Sequence, residues 1–124
     1  MNIDNVAEAQ RLVEKMNANL PIIVRPNSAL VKILRKKGIN ADRYKPLEIH
    51  NAIYMGNEGG ISCDVTPKGQ EKVAFICSLT QLEVMGDDDL AQEMKAYQQK
   101  RLKSLAQHGA NMPMTFTLNP RKKN

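Results

Sequence analysis

The sequence predicts an α+β domain: an antiparallel sheet of three or more strands across residues 47–84, packed on one face by helices from the two ends of the chain. Apolar residues recur at helical spacing near both ends, at Val6, Ala9, Val13 and Met16 and again at Leu90, Met94 and Tyr97, as on an amphipathic helix. Between them Leu47, Ile49, Ile53, Ile61, Cys63 and Val65 occupy alternate positions, as in a strand with one covered face. The chain has 124 residues and 42% hydrophobic content. That suits one core burying roughly two thirds of the unfolded chain's surface. We therefore expect a single domain over residues 1–110, followed by an arm with a basic tail at 111–124.

The first helix is expected over residues 4–18, with Val6, Ala9, Val13, Met16 and Leu20 inward and Glu8, Arg11 and Glu14 largely opposite. Residues 20–24 are short, β-branched and bounded by Pro26, which reads as a strand or an extended connector. Asn27 or Ser28 can cap a second helix reaching Lys37, and Gly38 supplies the left-handed residue that ends many helices. Its apolar positions are Ala29, Leu30, Ile33 and Leu34. After Pro46 the period becomes two: Leu47, Ile49, Ile53 and Met55 share one parity, and Glu48, His50 and Tyr54 take the other. The glycine-rich turn at 56–60 then implies a hairpin with Met55 opposite Ile61.

A second turn at 66–70 leads to a third strand over 72–84. Its apolar parity switches between Leu79 and Leu82, so a bulge or bend is expected near Thr80 and Gln81. Asp87, Asp88 and Asp89 open the longest helix, which runs to Gln107 and stops at His108 and Gly109. Lys95, Lys100, Arg101 and Lys103 in its later turns complement the helix dipole. Residues 112–118 alternate again, and Pro113 restricts them to an edge strand or a docked arm.

The longest apolar run, residues 73–77, is far shorter than the ~20 residues a bilayer requires, so no membrane association is expected. Asp4 stands where a secretory leader carries bases, and Cys63 and Cys77 alone make no disulfide framework. Both point to the cytoplasm. The net charge of +5 is uneven. Residues 21–45 hold seven bases against the single acid Asp42, and Arg121, Lys122 and Lys123 add three more at the end. An anionic partner should meet one of these two regions. The helix, three strands, helix order is also that of double-stranded RNA-binding domains. That family has a lysine-rich start to its last helix, where this chain has three aspartates.

The hairpin's polar face gathers Glu48, His50, Tyr54, Ser62, Asp64 and Thr66. In the expected register His50 lies diagonal to Asp64, so a small enzyme centred on His50, with Asp64, Glu48 and Tyr54, is one reading. Ser62 sits in mid-strand without the sharp turn that exposes a nucleophile, and a solvated sheet face accounts for the same residues. Cys63 and Cys77 read as buried small hydrophobes, the three aspartates as a helix cap, and residues 56–60 as a turn. No metal or cofactor is expected. Arg25, Lys32, Arg35, Lys36 and Lys37 form the nucleic-acid candidate, with Arg43 and Lys45 nearby and the basic tail as accessory. The leading expectation is a non-enzymatic binding or regulatory module that self-associates as a homodimer or clasps a protein partner.

Overall fold

Two asparagine caps set the first half of the chain. In this computed structural model, which describes residues 3–67, 69 and 74–107, Asn5 Oδ1 accepts the Glu8 N–H (3.1 Å) and starts α1, Val6–Asn17. Its buried stripe is Ala9, Leu12 and Met16, while Val6 is 43% exposed. Ala9 and Met16 are inward as expected and Val13 and Leu20 pack against the core, but Leu12 is buried in place of Val6, because α1 packs against a strand and the last helix together. Asn27 Oδ1 accepts the Leu30 N–H (2.9 Å) and starts α2, Ser28–Lys36. Its exit is a Schellman motif: Gly38, at φ +83°, donates to Arg35 O and Ile39 to Leu34 O (both 3.0 Å), which buries Ile39.

The chain between 47 and 84 does not make one sheet. Strand β1, Ile22–Pro26, is the centre of a first antiparallel sheet, flanked by β2, Leu47–Ile49, and β6, Leu82–Val84. A second antiparallel sheet has β4, Ile61–Asp64, between β3, Asn51–Tyr54, and β5, Ile76–Ser78. Only His50 separates β2 from β3, and a 3-10 turn, Leu79–Gln81, joins β5 to β6. Each bent strand thus serves both sheets, and the pairings close a ring. The α+β class stands: the described residues form four helices and two three-stranded antiparallel sheets.

Both bends have local causes. At the first, His50 donates its N–H to Asp64 O (2.8 Å) while Asn51 is the register partner of Asp64. Two residues opposite one constitute a bulge, which reverses the facing of everything after it. Ile49 and Ala52, three apart, are accordingly both fully buried, and Ile53 and Met55 are 47% and 57% exposed. The hairpin pairs Tyr54, not Met55, with Ile61. At the second bend, Ser78 Oγ accepts the Thr80 N–H and Gln81 Oε1 accepts the Ser78 N–H. This is the bend the parity switch near Thr80 and Gln81 predicts. Residues 56–60 hold a four-residue helix, α3, Gly56–Gly59.

Asp88 Oδ1 accepts the Ala91 N–H (2.8 Å) and opens α4, Asp89–Gln107, which packs on α1, β6 and the 3-10 turn. The core they enclose centres on Met16, Val24, Ile49, Ile61, Cys63, Leu79 and Met94. Cys63 and Cys77 are direct cross-strand partners, both free and buried. Burial pushes the Cys63 thiol up to about 12 and that of Cys77 well above its ordinary value. Two strand edges are closed by side-chain amides. Asn17 donates to Ala52 O (2.8 Å) and accepts from Ala52 N (2.9 Å), as a neighbouring strand would, and Gln98 donates to Leu79 O and Leu82 O (both 2.7 Å). The expected helix stop at His108 and Gly109, the arm at 111–124 with its basic tail, and part of the expected 72–84 strand lie outside the described residues. Among those described, no helix is long and apolar enough to cross a membrane.

Candidate functional site

The ladder between β3 and β4 ends at the bulge. Beyond the His50–Asp64 bond, β2 and residues 65–67 no longer pair and become walls of a groove of about 470 Å³. Ile23 of β1, 44% exposed, and residues 39–41 and 45–46 complete it. Ile23, Ile39, Leu47 and Val65 give it an apolar lining, while Lys45, Glu48, His50 and Thr66 supply its polar groups. Sequence reasoning identifies Glu48 and His50 but not the groove, which depends on two segments parting.

The four catalytic candidates are not brought together. His50 and Glu48 share the groove. Asp64 turns to its own loop: Oδ1 accepts both the N–H (2.9 Å) and the hydroxyl (2.6 Å) of Thr66. Partial burial works against the charged carboxylate, but these two bonds and the nearby His50 outweigh it and hold its pKa below the ordinary value. Tyr54 lies inward of the sheet and donates to Asp4 Oδ2 (3.1 Å). His50 feels the Asp64 charge without a carboxylate bonded to its ring among the described residues, so the orienting contact of a proton-transfer pair is missing.

Tyr54 belongs instead to a buried cluster absent from the sequence reading. Asp4 Oδ2 accepts from Tyr54 (3.1 Å), Tyr97 (3.2 Å) and Arg101 Nη1 (2.9 Å). The Arg101 and Asp4 side chains are 5% and 2% exposed. Arg101 also donates to Asn57 O (3.0 Å) and Glu58 O (2.6 Å), Tyr97 accepts from Ile61 N (3.1 Å), and Asn57 Oδ1 accepts from Ile3 N and Asp4 N. Burial first, and Asp4 second, raise the Tyr97 pKa. Gly60, at φ +67°, lies so close that a Cβ there would stand 2.6 Å from Arg101 Nε and 2.8 Å from the Tyr97 hydroxyl. The cluster ties the N-terminal segment, the β3–β4 connection and α4 together, and each charge is met by opposite charge or hydrogen bonds. It is a structural clamp.

The basic candidates divide into two groups. Arg25 stands on the outer face of β1 beside the ring of Tyr44 (5.9 Å to its centroid), cross-strand from Glu83, which pairs with Arg43. Arg35 Nε donates to Ala41 O (2.8 Å). Lys32 and Lys36 on α2, which carries no acid, and Lys37 at its C-terminal cap remain exposed and make no ion pair among the described residues. Elsewhere Lys15 pairs with Glu93 and Lys100 with Glu8.

No protein-family model matches the chain, and no curated protein sequence matches it. Among solved structures it is similar to the crystal structure of Anabaena CcbP, 16% identical over 80% of this chain and 76% of that one, with a TM-score of 0.47.

Proposed function

We propose that this chain is a non-enzymatic binding module, acting as a self-associating cytoplasmic protein, whose ligand site is the groove beside β2. The observation that carries it is the joining, in one concavity, of an exposed apolar residue, Ile23, with the polar groups of Lys45, Glu48 and His50. Dispersal of Asp64 and Tyr54 to other partners favours binding over proton transfer. Two buried free thiols suit a reducing compartment. Amide spectra of the labelled full chain, titrated with a library of small polar fragments, test the site. Shifts confined to residues 39–50 and 65–67 support it; shifts elsewhere, or none, overturn it. Light scattering with and without residues 111–124 tests association. A concentration-independent monomer in both cases refutes that part.

The exposed, acid-free lysines of α2 favour a second reading, phosphate contacts to nucleic acid through Lys32, Lys36 and Lys37, with Arg25 and Arg35 at the margin. Such binding weakens steeply with salt. Titration of labelled duplex at two salt concentrations checks it: no binding at low salt removes the reading. Binding unaffected by Lys32→Glu with Lys36→Glu moves the site elsewhere.

A further inference from the structure

We propose that Cys63 and Cys77 are a redox modification site, closed by hydrogen peroxide into a reversible disulfide between β4 and β5. The two are direct register partners on neighbouring strands and are the chain's only cysteines. Two residues further out on each strand, Val65 donates to Phe75 O (2.9 Å). Antiparallel partners alternate between bonded and non-bonded pairs, so Cys63 and Cys77 are a hydrogen-bonded pair like Val65 and Phe75, with Cα atoms about 5.5 Å apart. A disulfide spans roughly 4.4–6.8 Å between Cα atoms, so this pair is within reach of one. Cross-strand partners project to the same face, and here it is the buried one: Cys63 is 0% and Cys77 8% exposed. Burial first and the neighbouring Cys63 second raise the Cys77 pKa. Among the described residues no cluster of three or more His, Cys, Asp or Glu fit to hold a metal includes them, which favours a bond between two sulfurs over a zinc site.

Closed, the pair is shielded, so the oxidant has to be small and has to meet the sulfur when β5 lifts. Strand β5 is the outer strand of its sheet, three residues long, and Ile76 within it is 56% exposed. Such a strand opens locally more readily than a central one. Cys77 is therefore attacked first. Its thiolate, the proton given to water, takes one peroxide oxygen; the O–O bond breaks and the departing hydroxide picks up a proton as water. Cys63 then attacks the S–OH on Cys77: the S–S bond forms, the S–O bond breaks, and the Cys63 proton leaves with the hydroxide as a second water. Two thiols are oxidised by two electrons and one peroxide is reduced to two waters. The bond has a structural consequence, because Val65, Thr66 and Pro67 wall the groove and begin two residues after Cys63, while Phe75 stands two before Cys77. A disulfide next to the Val65–Phe75 hydrogen bond fastens the base of that wall. It is read without any groove ligand, so it stands or falls separately from the binding-module reading.

The test treats the reduced full chain, folded in neutral buffer, with a small molar excess of hydrogen peroxide. The expected product is a species of single-chain mass, two hydrogens lighter, whose non-reducing digest joins the Cys63 and Cys77 peptides; dithiothreitol restores the starting mass. Circular dichroism matches that of the reduced protein, and the melting temperature rises by at least about 4 °C because the cross-link closes the loop from 63 to 77 in the unfolded chain. Exchange of the Val65 amide slows by about tenfold. In Cys63→Ser, dimedone traps the S–OH on Cys77, whereas Cys77→Ser leaves Cys63 unlabelled. Labelling of Cys63 alone overturns the order of attack. Oxidation that ends in sulfinic acid or in disulfides between chains, or a cross-link that forms only in urea, overturns the site itself. A cross-linked chain with a lower melting temperature or unchanged Val65 exchange overturns the fastening of the wall. The unsubstituted chain decides site and fastening alone, so a serine variant that fails to fold leaves both tested.

Discussion

Replacing Arg101 with methionine keeps most of the stem volume and removes the charge that Asp4 is buried against. Asp4 Oδ2 would keep only the hydroxyls of Tyr54 and Tyr97 at 3.1 and 3.2 Å, and the Asn57 and Glu58 carbonyls would each lose a donor. The Asp4 side chain is 2% exposed, so water cannot take over without the segment lifting away. Breaking a buried pair by removing one partner costs about 3–5 kcal/mol. Against a total of roughly 5–15 kcal/mol for a domain, that is a large fraction. At about 4 °C per kcal/mol, the melting temperature should fall by roughly 12–20 °C. Urea titration followed by circular dichroism measures it directly. The double variant Asp4→Asn with Arg101→Met should be less destabilised than the sum of its singles by about 2 kcal/mol, since the uncompensated charge has gone. A loss under about 1 kcal/mol for Arg101→Met, or additivity in the cycle, would refute the assignment of this cluster as the clamp.

Gly60→Ala should destabilise by about 2–4 kcal/mol in the same titration, from positive-φ strain and from a Cβ that displaces the Arg101 guanidinium; wild-type stability would show that the guanidinium gives way freely. Asn17→Ala, which strips both partners from a fully buried Ala52 backbone, should cost about 1–3 kcal/mol, and hydrogen exchange at the Ala52 amide should rise with it. Gly38→Ala, at φ +83°, should cost about 1 kcal/mol, read as a lower urea midpoint with an unchanged slope. Thermal melts across pH should be flat near neutrality and fall above about pH 9: Cys63, Cys77, Tyr54 and Tyr97 all have raised pKa values, so each favours folding below its unfolded pKa and loses that contribution as pH climbs toward its folded one. Tyr97→Phe should blunt the alkaline fall; an unchanged profile in that variant would remove Tyr97 from the account.

Local signals were readable wherever one residue decides the outcome within a few neighbours. Asn27 caps α2, Gly38 ends it and the aspartates start α4, because each acts over three or four positions. The bend at Thr80 and Gln81 was visible in the parity of Leu79 and Leu82. The clamp was only half visible. Leu90, Met94, Tyr97 and Arg101 follow one another at spacings of four, three and four, which sets a cation on the apolar stripe of α4. A charge there implies a buried counter-charge. Nothing local points to Asp4, 97 positions away.

The register of the first hairpin misled for a different reason. Ile53 and Met55 continue the parity of Leu47 and Ile49, so hydrophobic pattern alone keeps them inward. Small Ala52 is what fits beneath α1, held there by the Asn17 amide, and the bulge at His50 gives up the two large residues to solvent to achieve it. That exchange also determines the site. A chain without the bulge would carry the β3–β4 ladder straight on into β2, seal the ring and leave no groove. The residue that breaks the alternation is thus the one at which β2 and residues 65–67 part, and the departure from the simplest pattern coincides with the groove.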